Sequence, residues 1–353
     1  MSAGKFIVTL TADFYDSTGA PKYRDIGLSL LAEHAHIEQR VFQEHRKQIG
    51  ADQAGDAQGV IVLTPAVTAE SVSKAENLLV MARFGVGCDS VDVKACTAAA
   101  VLVTITTGAV DRPVAEATIG WMIALSHNLR IKDKLVRTGQ WDERAKYMGR
   151  ELRDRTLGVI GLGGIARKTI ELLRGFGMKQ PLAFDPFVSE EMAATLGVRR
   201  VNLEELLPHA DFVSIHCALT EETRGLIGAR ELALMKPDAY LLNTARGGIV
   251  DEDALYEALK HRRLAGAALD CFAQEPVTSP HRFGELDNVL LAPHSIAWTR
   301  EMFRDIGRAA CQGMVDLSLG VKPRGVINPE VFERPGFQTK WARFRKQHSH
   351  STL

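Results

Sequence analysis

Thr156-Leu157-Gly158-Val159-Ile160-Gly161-Leu162-Gly163-Gly164-Ile165-Ala166 opens a stretch that runs on through Phe176 and ends at Leu182-Ala183-Phe184-Asp185. Thr156–Ile160 predicts a buried strand, the segment to Phe176 a helix, and Leu182–Asp185 a second strand. Gly161 permits a tight turn between strand and helix. Gly163 lets the backbone approach a pyrophosphate, and Ala166, at the third position of the pattern, allows close helix–strand packing. The N-terminus of the helix offers free amides and the positive end of its dipole to the phosphates. Glycine turns are common, but here a strand precedes, a helix follows, and an acidic residue closes the next strand about 20 residues on. Together they predict a dinucleotide-binding unit.

Asp185 bears on which dinucleotide. A carboxylate there can accept hydrogen bonds from both ribose hydroxyls of NAD and repels a 2′-phosphate. Pro186-Phe187 supplies no arginine to reward that phosphate, so the pattern favours NAD over NADP. The alternative is a capping aspartate at a turn.

Working outward, short apolar runs alternate with longer amphipathic ones. Lys5–Thr11, Gly59–Leu63, Leu78–Arg83 and Leu102–Ile105 read as strands, separated by helical segments near Gly27–His34, Val67–Lys74 and Val91–Ala99. Such βα alternation implies parallel strands with covering helices. A helix opens at Asp111-Arg112-Pro113, with an acidic cap and proline in its first turn, and runs to about His127. A polar arm, Asn128–Arg155, follows. The second series then has strands at Thr156–Ile160, Leu182–Asp185, Phe212–His216, Tyr240–Asn243, Gly266–Leu269 and Val289–Leu291, a six-strand doubly wound count. After Pro293 the chain is helical again over Arg300–Gly320. The expected organisation is discontinuous: a substrate domain of residues 1–107 plus 295–330, an inserted dinucleotide domain of 108–294, and a C-terminal extension of 331–353.

Composition excludes several classes. The chain has 353 residues, 46% of them hydrophobic, and its 43 Lys+Arg balance 43 Asp+Glu. No excess charge suggests nucleic acid or an anionic membrane surface. Met1-Ser2-Ala3-Gly4 leads straight into a strand without a basic-then-apolar leader. The most apolar helical run, Ala117–Leu125, is far short of the ~20 residues that cross a bilayer. Cys88, Cys96, Cys217, Cys271 and Cys311 are scattered and odd in number, which fits buried free thiols in a reducing compartment and predicts no metal site. A cytoplasmic α/β protein is the expectation.

The second chemical signal lies just beyond the later strands, where doubly wound folds place their sites. Arg246 follows Asn243-Thr244-Ala245, Glu275 follows Asp270-Cys271-Phe272-Ala273-Gln274, and His294 follows Ala292-Pro293. An arginine fork can grip a carboxylate and the adjacent carbonyl oxygen of a 2-oxo acid. A histidine can give the reduced carbonyl its proton, or take one from an alcohol, near neutral pH. A glutamate against that histidine favours its charged form and fixes its tautomer. Singly, each has a plainer reading: Glu275-Pro276 a turn, Arg246 a helix cap, His294 a loop histidine. Their placement after successive strands favours a joint role.

These motifs resemble the D-isomer-specific 2-hydroxyacid dehydrogenase family, and the resemblance runs from about Leu78 to Asn328. It rests on Arg83-Phe84-Gly85-Val86-Gly87-Cys88-Asp89, Val114-Ala115-Glu116, Gly149-Arg150-Glu151-Leu152, the Gly161–Ala166 turn and His216-Cys217-Ala218-Leu219-Thr220. It continues through Thr223-Arg224-Gly225-Leu226-Ile227, Asn243–Gly247, Glu275-Pro276 and Pro293-His294. The resemblance implies two doubly wound parallel-sheet domains, Rossmann- and flavodoxin-like, with a cleft between them that closes by hinge motion. It implies a catalytic set of Arg246, Glu275 and His294. The substrate carboxylate would lie on the backbone amides of Val86 and Gly87. NAD contacts would come from Thr118, Gly161, Gly163, Gly164, Ile165, Ala166, Asp185, Cys217, Thr223, Thr244, Ala245, Arg246, Asp270 and His294. The family also implies a homodimer with the arm Asn128–Glu151 wrapping the partner.

Departures from the family pattern fall around the substrate. Ile105-Thr106-Thr107-Gly108 stands where Asn-Thr-Pro-Gly is usual, and Ser295-Ile296-Ala297-Trp298-Thr299 follows the histidine in place of a glycine-containing turn. Ala218 replaces a proline near the adenine. Trp298 either walls the substrate pocket or packs the hinge. Arg112 either aids a second anionic group or is solvated. Glu275 argues against a formate dehydrogenase, whose histidine pairs with glutamine. Val86 argues against a phosphite dehydrogenase, which carries lysine there. An NAD(H)-sensing regulatory protein of the same fold is the alternative from another class. The basic Gln338–Leu353 reads as a solvated tail, or else as a helix docking Trp341 and Phe344, three apart, on one face.

Overall fold

The structure, a computed structural model, describes residues 5–348. The expectations for Met1–Gly4 and for residues 349–353 lie outside the described residues. The chain divides into two units, residues 1–110 with 298–353, and residues 111–297.

In the first unit five strands form one parallel sheet: β1 Phe6–Leu10, β2 Ile37–Val41, β3 Gly59–Val62, β4 Val80–Arg83 and β5 Leu102–Thr104. Their order is β2-β1-β3-β4-β5, the flavodoxin-like arrangement. β1 and β3 are buried along their whole length, as apolar runs covered on both faces should be. Val60, Val62, Met81 and Val103 pack one face. The helix Arg300–Ser318 buries Phe303, Ile306, Ala310 and Met314, and Thr299 Oγ1 caps it by accepting the Met302 amide at 3.0 Å.

Three expectations are corrected here. β2 has no counterpart in the sequence reading, because it is an edge strand with only Ile37 buried. Val67–Lys74 forms turns and no helix: Ser71 Oγ accepts the Thr68 amide at 2.9 Å and donates to Ile49 O at 2.6 Å, side-chain bonds that compete with helical ones. The helix expected near Gly27–His34 shrinks to one turn, Ser29–Ala32.

Of the two readings of the C-terminal stretch, the solvated tail is corrected and the docked helix is borne out over the described residues. Pro335–His348 is helical. The Phe344 ring stands edge-on to Phe6 at 4.9 Å, Trp341 Nε1 donates to Leu317 O at 2.9 Å, and Lys340 Nζ donates to Ala99 O at 3.0 Å. Phe344 is 6% exposed. Phe344→Ala should therefore cost about 3–5 kcal/mol in urea unfolding, as buried Phe→Ala changes do. A loss within about 0.5 kcal/mol, the range of ordinary surface changes, would contradict the docking.

The second unit holds β6 Leu157–Ile160, β7 Leu182–Phe184, β8 Arg199–Arg200, β9 Phe212–Ile215, β10 Tyr240–Asn243, β11 Gly266–Leu269 and β12 Val289–Leu291. All are parallel, in the order β12-β11-β10-β9-β6-β7-β8. The six-strand count becomes seven because β8, two exposed residues at the sheet edge, reads as polar. Alternate side chains enter two cores. Val213, Ile215 and Leu241 join Leu206, Leu255 and Phe283 on one face. Val159, Phe212 and Leu242 join Met122, Ala166 and Ile170 on the other. β7 and β8 lie on one side of β6 and β9–β12 on the other. The carboxyl ends of β6 and β9 therefore flank the topological switch point, where such folds bind ligands.

The expected helix at Asp111 spans Asp111–Ser126, and the arm contains a helix Leu129–Arg137 and a 3-10 helix Trp141–Tyr147. Among the described residues no helix is long and apolar enough to cross a membrane, and no group of three or more His, Cys, Asp or Glu could hold a metal ion.

Candidate active site

At the switch point the chain turns on Gly161, whose φ is +90°. A Cβ there would stand 2.7 Å from the Cys217 amide nitrogen, so the turn between β6 and the helix Gly164–Leu172 passes against the end of β9 only as glycine. Gly163 and Gly164 are exposed, no side chain caps the helix, and a Cβ on Gly163 would meet nothing within 4 Å. The open amides and empty space over Gly163 fit the pyrophosphate of NAD. Ala166 is fully buried and serves the packing of helix on strand. Ile165 is half-buried beside the turn.

Asp185 follows β7. Its Oδ2 accepts the Leu162 amide and its Oδ1 the Phe187 amide, both at 2.8 Å. The carboxylate thus steadies the glycine turn and keeps lone pairs on both oxygens for ribose hydroxyls. An arginine does stand nearby: Arg200, on β8, donates from Nε to the Asp185 carbonyl at 3.1 Å. It lies 15 residues from Asp185 in the chain, so the adjoining Pro186-Phe187 carries no sign of it.

Two of the expected cofactor residues are engaged elsewhere. Thr118 is fully buried in its helix; its Oγ1 donates to Val114 O at 2.8 Å and lies 3.5 Å from Thr244 Oγ1. Thr223 Oγ1 donates to Ala218 O and accepts the Thr220 amide, both at 2.7 Å, and so holds the loop after β9 in shape. Cys217 is half-buried beside Gly161, and burial pushes its thiol up to about 11. Burial of the His216 ring pushes its imidazole down to about 4, so it is uncharged at neutral pH. The acid–base candidate is therefore His294.

The loops after β10, β11 and β12 carry the three candidate side chains, Arg246, Glu275 and His294, all in the second unit. Asn243, at the end of β10, accepts the Ala245 amide at 3.0 Å and donates to Arg246 O at 2.8 Å. This bracing of Thr244–Arg246 was not anticipated, although an Asn ending a strand before a tight loop is the signal for it. Arg246 Nη1 donates to Ala245 O at 2.6 Å. A Cβ on Gly247 would collide with Phe272 O at 1.8 Å; only glycine lets the Arg246 loop pass this close to the segment leading to Glu275.

Glu275 Oε2 accepts from His294 Nδ1 at 2.8 Å, and Oε1 accepts the Phe272 amide at 2.9 Å. Burial pushes the Glu275 carboxyl up, but the His294 hydrogen bond, the Phe272 amide and the charges of His294 and Arg246 outweigh it and hold the group below its ordinary range. His294 itself has a left-handed φ of +53°, a conformation that costs a non-glycine residue about 1–3 kcal/mol. Asp270 holds it there: its Oδ1 accepts the next two amides, Ser295 at 2.8 Å and Ile296 at 3.0 Å. Burial raises the Asp270 carboxyl, and those two amides partly offset the rise. Asp270 is thus a brace for the histidine loop as well as a candidate for the carboxamide.

The remaining substrate candidates belong to the first unit. Val86 and Gly87 are half-buried just past β4, and Trp298 is 54% exposed, edge-on to Phe303 at 5.1 Å.

Residues 119–295 match the family model described as D-isomer specific 2-hydroxyacid dehydrogenase, NAD binding domain. The chain is similar to a D-3-phosphoglycerate dehydrogenase of Archaeoglobus fulgidus, 39% identical over 272 residues that make up 77% of this chain and 51% of that protein. It is 34% identical over 321 residues to a glyoxylate reductase of Korarchaeum cryptofilum, covering 88% of this chain and 96% of that one. The crystal structure of D-lactate dehydrogenase from Aquifex aeolicus, complexed with NAD and lactic acid, matches with a TM-score of 0.75 at 26% identity, over 89% of this chain and 96% of its own. The chain spans about half the length of the D-3-phosphoglycerate dehydrogenases it matches.

Proposed function

This chain belongs to the D-isomer-specific 2-hydroxyacid dehydrogenase family and carries its NAD-binding domain, and we propose that it interconverts a 2-oxo acid and a D-2-hydroxy acid. The observation that carries this reading is the His294 Nδ1–Glu275 Oε2 bond of 2.8 Å, in the unit that also holds the glycine turn. The hydride at C2 of the substrate would be supplied or accepted by NAD held at the glycine turn and Asp185.

The chain's own residues do the rest. The ionised Glu275 accepts a hydrogen bond from His294 Nδ1–H and so fixes the tautomer, leaving Nε2 to move a proton to or from the substrate oxygen. Arg246 orients the substrate carboxylate through its planar fork, and its loop is held by Asn243. Val86 and Gly87 offer backbone amides to the same carboxylate. Asp185 takes the ribose, and Gly163 and Gly164 the pyrophosphate.

The proposal extends to assembly and place. Leu129, Val136, Trp141 and Met148 are large apolar side chains left exposed on the arm, which suits a homodimer in which the arm covers a partner. Free cysteines throughout the described residues suit the cytoplasm.

Glyoxylate, hydroxypyruvate, pyruvate, oxaloacetate and phenylpyruvate, each offered with NADH and followed by absorbance, test the reading. At least one should be reduced. Turnover of none, with NADH still bound tightly, would favour the NAD(H)-sensing alternative.

A further inference from the structure

In the loop between β11 and β12, two consecutive amides are each claimed by a carboxylate. The Phe272 amide donates to Glu275 Oε1 at 2.9 Å, and the Ala273 amide donates to Glu252 Oε1 at 2.6 Å. The Phe272–Ala273 peptide is therefore held at both ends. Its carbonyl lies against Gly247, and its N–H is on Glu252. The N–H just before it is the one that Glu275 uses. Glu252 is itself held: its Oε2 lies 3.6 Å from His281 Nε2, with the two side chains only 19% and 23% exposed. His281 Nδ1 accepts the Phe283 amide at 3.5 Å, which places the ring proton on Nε2, facing the carboxylate. The imidazole sits between Phe283, stacked at 5.2 Å, and Phe272, tilted at 4.8 Å. All these residues belong to the second unit.

Glu252 opens the helix Glu252–Lys260, and an acidic residue in a first turn ordinarily serves the helix dipole, a contribution of about 0.3–1 kcal/mol. That role is filled without it. Asp251 caps the helix by accepting the Asp253 and Ala254 amides at 2.9 and 3.0 Å, and Asp253 adds a second charge with its side chain 87% exposed. Glu252 is instead mostly buried, and it aims both oxygens away from its own helix, at a loop amide and a histidine.

We propose that Glu252, held by His281, is a positioning residue for the acid–base pair: by fixing the Ala273 amide it keeps the Phe272 amide on Glu275 Oε1 and so turns Oε2 to His294 Nδ1. The proposal rests on the acid–base reading of His294 above and adds the groups that orient Glu275. It has a signature in pH. Glu275 faces His294, Arg246, Asp270 and the Cys271 thiol. Burial pushes its carboxyl up, and the Phe272 amide is one of the groups that bring it below its ordinary range. Without that amide Glu275 takes up its proton at higher pH, so the acid limb of activity moves upward.

The test measures kcat and its pH dependence, with NADH and whichever panel acid the wild type reduces fastest, in Glu252→Ala, Glu252→Gln and Asp253→Ala. A misplacement of about 1 Å at a reacting group can cost on the order of 10²-fold. Glu252→Ala should lower kcat by about 10–100-fold, shift the acid limb to higher pH and leave NADH binding in place. Glu252→Gln keeps an oxygen for the Ala273 amide and should retain most of kcat and the wild-type limb. Asp253→Ala removes a first-turn charge without touching the loop and should change neither. Should Glu252→Ala fail to fold, His281→Phe, which keeps a ring between Phe272 and Phe283 and removes Nε2, should show the same upward shift to a smaller extent. An unmoved limb in whichever of these two variants folds, or equal losses in Glu252→Ala and Asp253→Ala, overturns the positioning role and leaves the dehydrogenase reading standing. Reduction of no panel acid by the wild type overturns the dehydrogenase reading, and this role with it.

Discussion

His294→Ala should lower kcat by about 10²–10⁴-fold while NADH binding, read by fluorescence, should stay close to wild type; that range is the usual contribution of a positioned general acid–base. The split follows from the geometry. The amides of the glycine turn and the Asp185 carboxylate lie after the interior strands β6 and β7, whereas His294 lies after β12, the edge strand four places from β6 in the same sheet. Removing the imidazole therefore takes away the proton transfer and little of the dinucleotide's hold. It also relieves nothing structural in the loop, since Asp270 grips the backbone of Ser295 and Ile296 and not the ring. Glu275→Gln should lower kcat less, because Nε2 is still present and only the charge against Nδ1 is lost. Its pH behaviour separates the two variants. Glu275 is held ionised below the ordinary carboxylate range, so the wild type keeps this ion pair as pH falls through that range and loses it only on further acidification. In Glu275→Gln that acid limb should be absent. Near wild-type turnover of His294→Ala would remove the histidine from the mechanism.

Legibility in the sequence followed burial. β6, β9, β10 and β11 are buried at every residue, so each reads as an apolar run bounded by turn residues, and the Arg246 and Glu275 loops could be placed from the ends of β10 and β11; β12, which precedes His294, is an edge strand with only Val289 buried and was legible because its three residues are all apolar. The strands that escaped notice, β2 and β8, are both sheet edges, where exposed polar residues blunt an otherwise open ladder and erase the apolar pattern. Missing β8 had a consequence at the site, because Arg200 is carried on it. Thr118 shows a different limit. Its helix and its neighbourhood were readable, but the Val114 carbonyl that claims its hydroxyl is a matter of rotamer, and Ser and Thr in helices often bond back to that carbonyl. The C-terminal helix was legible only as one of two readings: Trp341 and Phe344 stand at helical spacing, but the surfaces that receive them, Leu317 and Phe6, are set by the tertiary fold.

Arg200 gives the cofactor prediction its form. Asp185→Asn should weaken NADH binding and admit NADPH, so that the preference for NADH over NADPH falls by roughly one to two orders of magnitude. A hydrogen bond to a charged group contributes about 1.5–3 kcal/mol, and about 1.4 kcal/mol is tenfold. Asparagine is the informative replacement. It keeps an amide oxygen to accept from Leu162 or Phe187, whereas alanine would release both amides and loosen the turn that holds the pyrophosphate. With the negative charge gone, a guanidinium stands close by in Arg200, already bonded to the Asp185 carbonyl at 3.1 Å and exposed enough to turn toward a 2′-phosphate. The NADPH gain should accordingly need that residue. Asp185→Asn with Arg200→Ala should bind NADPH less well than Asp185→Asn alone, with little further change for NADH, and the coupling between the two positions measures how much of the phosphate Arg200 holds. An unchanged NADH-to-NADPH preference in Asp185→Asn would mean that the ribose is read by another group. A gain independent of Arg200 would mean that lost repulsion, or another cation such as Arg167 at the same turn, accounts for it.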